Sequence, residues 1–274
     1  MCKAFKLSRS GYYSWKSRSP SQRALETIAI KEQIHALYHE SKGRYGSPKI
    51  TNELRHSGWS VSRPRVARIM RLEGLRSIIC KKFRGTTTDS THHFPVAENL
   101  LQREFHADAP GLKWVSDITY ISTRQGWVYL TIIMDLYDRK IIGWSLSTSL
   151  TTRDTIIAAW RMAMINRPIT QQLIFHSDQG IQYASYAFTD ILSNYQVVQS
   201  MSRKGNCWDN AVAENFFKIM KSELVRHTEF HTILQAKTEL FEFIEIWYNR
   251  KRKHSYLGHK TPKEYGKINY SKCA

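Results

Sequence analysis

The segment from Lys113 to Ser147 constrains the fold most. Three runs, Trp114 to Ser122, Trp127 to Met134 and Lys140 to Ser147, are rich in β-branched and aromatic residues. Arg124-Gln125-Gly126 and Leu136-Tyr137-Asp138-Arg139 separate them, so an antiparallel meander is expected. The first run reads Trp114-Val115-Ser116-Asp117-Ile118-Thr119-Tyr120, with an aspartate in its middle. A lone Asp inside a strand is disfavoured by propensity and costly to bury unless a cation neutralises it.

Downstream the pattern alternates. A helix is expected from Thr152 to Asn166, then a buried strand Leu173 to Ser177 ending at Asp178-Gln179-Gly180. A helix from Ser185 to Asn194 and a short strand from Val197 to Ser200 follow. The loop Arg203-Lys204-Gly205-Asn206-Cys207-Trp208 leads to Asp209 or Asn210 at a helix N-cap position. On that helix Asn210, Glu214, Lys218 and Lys221 share a stripe, and Ala213, Phe216, Phe217 and Met220 form the apolar side. Glu214 with Lys218 is also an ordinary surface pair at four-residue spacing. A long helix from Thr232 to Tyr248 and a basic tail from Asn249 complete the order β-β-β-α-β-α-β-α, an α/β mixed five-stranded sheet flanked by helices.

The region before the sheet reads differently. A short basic, aromatic segment (Ser8 to Lys16) suits either an arm on a phosphate backbone or structural packing. A helical pattern runs from Ser21 to His39. Two shorter helices follow, one opening at Ser47-Pro48 and one after Val61, with Val66, Ile69, Met70 and Leu72 on its buried side. Two short helices about a Gly-containing turn form a helix-turn-helix signature. Its second helix carries Arg63, Arg65, Arg68 and Arg71, which suit DNA contact or merely a solvated face. The expected organisation is a basic arm and helix over 1–42, a helix-turn-helix region over 43–84, and a linker over 85–110. The core spans 111–265 and a tail 266–274.

The net charge of +18 and pI of about 9.8 point to a polyanionic partner, nucleic acid first. Residues 1–110 carry +11, residues 111–202 only +1, and residues 203–274 +6. That distribution suggests a near-neutral centre held on nucleic acid by its flanks. The four cysteines are far apart and contain no C-x-x-C, so neither a zinc ribbon nor a disulfide scaffold is indicated. No signal-type or membrane-spanning run is present, so a cytoplasmic protein is expected.

The acids carry the chemistry. Asp117 in a strand, Asp178 at a strand end and Glu214 on a helix are positions that a mixed sheet brings together. Carboxylates on rigid elements suit hard divalent cations and phosphoryl transfer. Asp117 and Asp178 are separated by 60 intervening residues, Asp178 and Glu214 by 35. The flanking words are Trp-x-x-Asp-Ile-Thr-Tyr at 114–120, His-Ser-Asp-x-Gly-x-Gln-Tyr at 176–183 and Gly-Asn-Cys-Trp-Asp-Asn-Ala-x-x-Glu at 205–214. With Lys221, Tyr248-Asn249, Arg252, His254, Leu257 and Thr261-Pro262, this pattern resembles the bacterial insertion-sequence transposases encoded by a second reading frame. These belong to the D-D-35-E superfamily of retroviral integrases.

The resemblance implies an RNase H-like core, Mg²⁺ or Mn²⁺ with two ions per site, and DNA strand cleavage and transfer. It implies Asp117, Asp178 and Glu214 as metal ligands and Lys221 as a DNA contact, with His176 and Asn210 as further positioning groups. Lys218, Arg203 and Lys204 lie beside them as candidate DNA contacts. The implied partners are double-stranded DNA (element ends and target), further copies of the chain, and an upstream-frame DNA-binding protein, either separate or fused ahead of this chain, within a bacterial nucleoid. The zinc-binding His-His-Cys-Cys module of retroviral type is not found before the core. A non-catalytic DNA-binding regulator and a nuclease of the same fold are the competing readings.

Overall fold

A computed structural model describes residues 2, 5, 8–78, 94–170 and 172–273. Two compact units divide at residue 79. Residues 79–93, the end of the expected helix-turn-helix region and the start of the expected linker, lie outside the described residues.

The first unit is helical: α1 (Arg9–Lys16), α2 (Gln22–Glu40), α3 (Ser47–His56) and α4 (Arg63–Leu72). Ser8, Ser21 and Ser62 each accept a backbone N–H of the following helix on their hydroxyl oxygens, satisfying donors the first turn leaves open. Ser47 is the first helical residue of α3 and Gly46 holds the cap position without a side-chain bond. Ile30, Ile34, Ile50, Leu54, Val66, Ile69 and Met70 form the core between α2, α3 and α4. Leu72, expected on the buried side, is 74% exposed, because it falls on the last turn of α4, past the part that Ile69 and Met70 bury.

The second unit is a five-stranded sheet in the order β3-β2-β1-β4-β5. Its strands are β1 (Lys113–Thr123), β2 (Gly126–Asp135), β3 (Ile141–Ser147), β4 (Ile174–Ser177) and β5 (Val198–Met201). The first three pair antiparallel, as the meander expectation required. β4 joins β1, and β5 joins β4, in parallel. A π-wound turn over Arg153–Ile157 leads into α5 (Ala158–Asn166). The helix expected over Ser185 to Asn194 is α7 (Tyr186–Asn194); a short unexpected helix, α6 (Ile181–Ala184), precedes it, and Ser185 between them takes an extended conformation. Trp114, Ile133, Ile142, Trp160, Phe175, Tyr183 and Phe188 pack into one core cluster. Each fully buried side chain of this size contributes about 1.5–3 kcal/mol.

Further elements close the unit. α8 (Ala211–Glu223) packs on β1, and Phe216 meets Phe243 and Tyr248 edge-on. The expected long helix is α9 (Ile233–Phe241) continued by a π-wound stretch, Glu242–Lys251. The basic tail is not a tail. Arg252 is buried against Glu223, His254 bridges Lys260, and α10 (Pro262–Cys273) follows as a helix. The stretch expected as a linker is also built in over its described part, 94–110. Leu101 and Ala107 are buried, and the backbone N–H of Leu100 donates to Ser200 Oγ at 2.9 Å. Its aperiodic sequence reflects a strap satisfied by long-range polar bonds rather than by helix or sheet. Among the described residues no helix is long and apolar enough to cross a membrane.

β3 lies very close to α5 at Gly143. A Cβ there would collide with the Ala159 carbonyl and come within 2.8 Å of Ala163 Cβ. Gly143→Ala is therefore expected to cost about 3 kcal/mol, measured as a fall in the denaturant midpoint with an unchanged slope.

Candidate active site

Register decides where two of the acids sit. β1 and β4 run parallel with Lys113 opposite Ile174, Trp114 opposite Phe175 and Val115 opposite His176. Two residues further along each chain come Asp117 and Asp178, the latter just past the end of β4. Asp117 Oδ1 accepts from the Ile118 backbone N–H at 2.8 Å, and Asp178 Oδ1 accepts from that of Gly180 at 3.0 Å. A Cβ at position 180 would lie 3.0 Å from that carboxylate oxygen, which would have to shift to make room.

Glu214 stands on the exposed face of α8. The start of α8 is fixed from two directions. Asn210 Nδ2 donates to the Ser116 carbonyl at 3.0 Å, one residue from Asp117. Asp209 is completely buried. It accepts Arg203 Nε at 2.8 Å, Arg103 Nε at 2.8 Å and Asn99 Nδ2 at 2.9 Å. Asn210 holds the N-cap position, one of the two residues the sequence offered for it, but no side chain caps the helix there. Asp209 instead ties the strap over 94–110 to the helix start, a role that no local signal in the sequence carries. The far end of α8 is held by Glu223, which accepts Trp247 Nε1 at 2.8 Å and pairs with Arg252.

The electrostatics follow from this placement. Burial pushes the Asp117 carboxyl well above the usual range, and the charges of Asp178 and then Glu214 push it further. The Ile118 N–H and Lys221 oppose the rise. Glu214 is raised by desolvation and then by Asp178. Lys221 is lowered by its own burial, against the pull of Asp117. The Tyr183 hydroxyl, bonded to Ser116 Oγ at 2.9 Å, is raised well above normal by burial and by both aspartates. These carboxylates therefore share one field, which Lys221 opposes at Asp117.

Three carboxylates offer hard oxygen donors, which fits Mg²⁺ or Mn²⁺. Among the described residues no three His, Cys, Asp or Glu side chains are placed to close around one ion. Mg²⁺ asks for less. It takes one or two protein carboxylates and completes its octahedron with water and phosphate oxygens. The Asp117–Asp178 pair meets that requirement, with Glu214 on the exposed helix face beside it.

The other candidate residues divide. Lys221 is half-buried beside Asp117, its Nζ 5.4 Å from the centre of the Tyr120 ring. Lys204 and Lys218 are exposed. Arg203 is committed to Asp209. His176 has no exposed surface. Its ring nitrogens meet Ser200 Oγ at 2.9 Å and Ser202 Oγ at 3.2 Å, and burial lowers its pKa to about 4. It is thus a neutral core group joining β4 to β5, not a DNA contact. Asn210, 3% exposed, is likewise a cross-link within the protein. In the first unit, Arg63, Arg68 and Arg71 are exposed, whereas Arg65 pairs with Glu26 at 3.1 Å and bonds Thr27.

The Asp209 knot has a testable cost. Its partners hold the carboxyl far below the usual range, Arg203 most strongly. A depressed carboxylate stabilises the fold fully above its unfolded value of about 3.9, and the contribution drains away as pH falls below it. Asp209→Ala is expected to lose roughly 2–3 kcal/mol at neutral pH and to show a smaller deficit near pH 3. Denaturant titrations of the two proteins at both pH values check this.

The chain resembles known proteins along most of its length. Integrase core domain models match residues 107–207 and 195–262, and an HTH-like domain model matches residues 26–83. A 31 kDa protein of insertion element IS600 from Shigella sonnei is 39% identical over 262 residues, covering 96% of each chain. Transposase InsF for insertion sequence IS3A, from Escherichia coli strain K12, is 37% identical over 267 residues, covering 97% of this chain and 92% of that one. In fold, the chain is similar to one from a simian T-cell lymphotropic virus intasome in complex with PP2A regulatory subunit B56 gamma. The TM-score is 0.50 at 15% identity, over 86% of this chain and 74% of that one. Likeness sustained along nearly the whole length identifies the chain as a member of the insertion-sequence transposase family with an integrase core domain.

Proposed function

We propose that this chain cuts a DNA strand at the end of an insertion sequence and joins the freed end to a second duplex. In the first step the oxygen of a water bonds to phosphorus, the bond to the 3′ oxygen breaks, and that oxygen leaves as a hydroxyl. In the second step this 3′-hydroxyl oxygen bonds to a phosphorus of the target strand, whose own 3′ oxygen departs. No covalent link between protein and DNA is needed.

One observation carries the reading. The parallel register of β1 and β4 sets Asp117 beside Asp178, and Glu214 lies within their field. These carboxylates would hold two divalent ions. When bound, the ions would activate the attacking oxygen and stabilise the leaving one. Asn210 and Asp209 keep α8, and so Glu214, in position. Lys221 supplies a cation beside the reacting phosphate. Lys204, Lys218 and Arg203 border it, and Arg63, Arg68 and Arg71 contact duplex DNA from the helix-turn-helix unit, with Arg65 braced by Glu26. The protein works as an oligomer on element ends and target, with an upstream-frame partner, in the bacterial nucleoid.

Asp117→Asn, Asp178→Asn and Glu214→Gln are each expected to depress cleavage and joining by at least about 1,000-fold, with binding of end-sequence duplex within a few-fold of wild type. Lys221→Ala lowers both steps by about 10-fold or more. Gel assays of nicked and joined products in Mg²⁺, beside binding titrations, read both quantities. Any one carboxylate replacement with near-normal joining would overturn the assignment.

A further inference from the structure

The outer part of β1 carries a surface that strand cleavage does not explain. Tyr120 is 40% exposed and Trp127 54% exposed, although both stand on strands of the sheet. They are diagonal neighbours across the β1–β2 pair, since Tyr120 faces Tyr129 and Ser122 faces Trp127. Their rings meet edge to face, with centroids 5.1 Å apart and planes at 83°. The pairing of β1 with β4 stops at Val115, so this end of β1 extends past β4. Lys221 links the aromatic pair to the acids. Its Nζ lies 5.4 Å from the Tyr120 ring centre, and its charge is felt by Asp117. Tyr120 is three residues beyond Asp117, about 10 Å along the strand.

Exposed aromatic rings beside a cation have the chemistry that grips single-stranded nucleic acid. Every base offers a π face to stack, and the cation attracts the neighbouring phosphate. Exposing this much ring to water forfeits its burial, and a stacked base would restore it. We propose that Tyr120 and Trp127 form a stacking platform for one unpaired nucleobase at the DNA end held in the active site. The occupant is a base and not a protein side chain, because the Tyr120 ring lies against Lys221, whose charge also acts on Asp117. The inference rests on the strand-transfer reading. It adds that the end is opened, so that one base leaves the duplex and lodges beyond Asp117.

The full chain is titrated with a short duplex whose end carries one unpaired 2-aminopurine, and with the fully paired version. Stacking should quench the unpaired probe and make the open end bind about 5-fold or more tightly than the paired one. Trp127→Ala and Tyr120→Ala should each remove most of the quench and the preference, leaving paired-duplex binding within about 2-fold. Trp127→Phe, which keeps a ring, should retain most of both. Wild-type protein that neither quenches nor prefers the open end would overturn the proposal, as would a Trp127→Ala protein indistinguishable from wild type. Repeating the titration with Asp117→Asn separates the two readings. Cleavage surviving in that variant defeats the catalytic assignment, whereas a missing quench in wild type defeats the platform alone.

Discussion

The backbone pairing of β1 with β4 forces two carboxylates into one another's field, and much of the catalytic unit answers that constraint. Val115 opposite His176 leaves no choice about Asp117 and Asp178. Like charges in a partly desolvated position repel, as the upward displacement of Asp117 records. A sheet that existed only to be stable would not place acids there. The repulsion persists because register is set by residues elsewhere. Trp114 and Phe175, packed with Phe188 of α7, fix the strands from the core, and a one-residue slip of either strand would turn its ring to the wrong face. Hydrophobic packing thus holds a polar arrangement that is unfavourable by itself until positive charge arrives.

α8 must be as fixed as the sheet, since Glu214 and Lys221 are two turns apart and both face the acids. Helical propensity alone would leave its ends free to fray. Asp209 and Asn210 secure the beginning and Glu223 the end, each through charged or buried bonds to distant segments. The strap over 94–110 completes the arrangement. It is the part of the chain that leads into the catalytic unit, and Asn99 and Arg103 pin it to the helix that carries Glu214.

What could be read beforehand follows the range of the interactions. The strands, the helix-turn-helix and α8 announce themselves through periods of two and 3.6 residues, which are local signals. Asp117 announces itself by violating the first of these. The strap was expected to be a linker because Asn99, Arg103 and Leu101 find their partners about a hundred residues away, and no period encodes that. The same holds for the ordered segment after Asn249, where a run of cations hid Arg252 inside the fold. His176 stood in a word shared with known transposases, and shared wording does not distinguish a surface group from a core cross-link. Tyr120 and Trp127 read as ordinary strand aromatics, because exposure is decided by where the neighbouring strand ends.

The cations show why charge counting overstates a binding surface. A net charge of +18 suggests basic surface everywhere. Yet Arg65 is held by Glu26, Arg103 and Arg203 by Asp209, Arg167 by Asp135 and Asp138, Arg252 by Glu223, and Lys253 by Glu264. These side chains brace the protein, and a polyanion could recruit them only by breaking bonds already made. Arg63, Arg68, Arg71, Lys204 and Lys218 stand exposed, on the second helix of the helix-turn-helix and around α8. The internally paired arginines are part of the frame around such residues. On the proposed function, DNA is met by charges that the frame already positions, which lowers the cost of ordering them on binding.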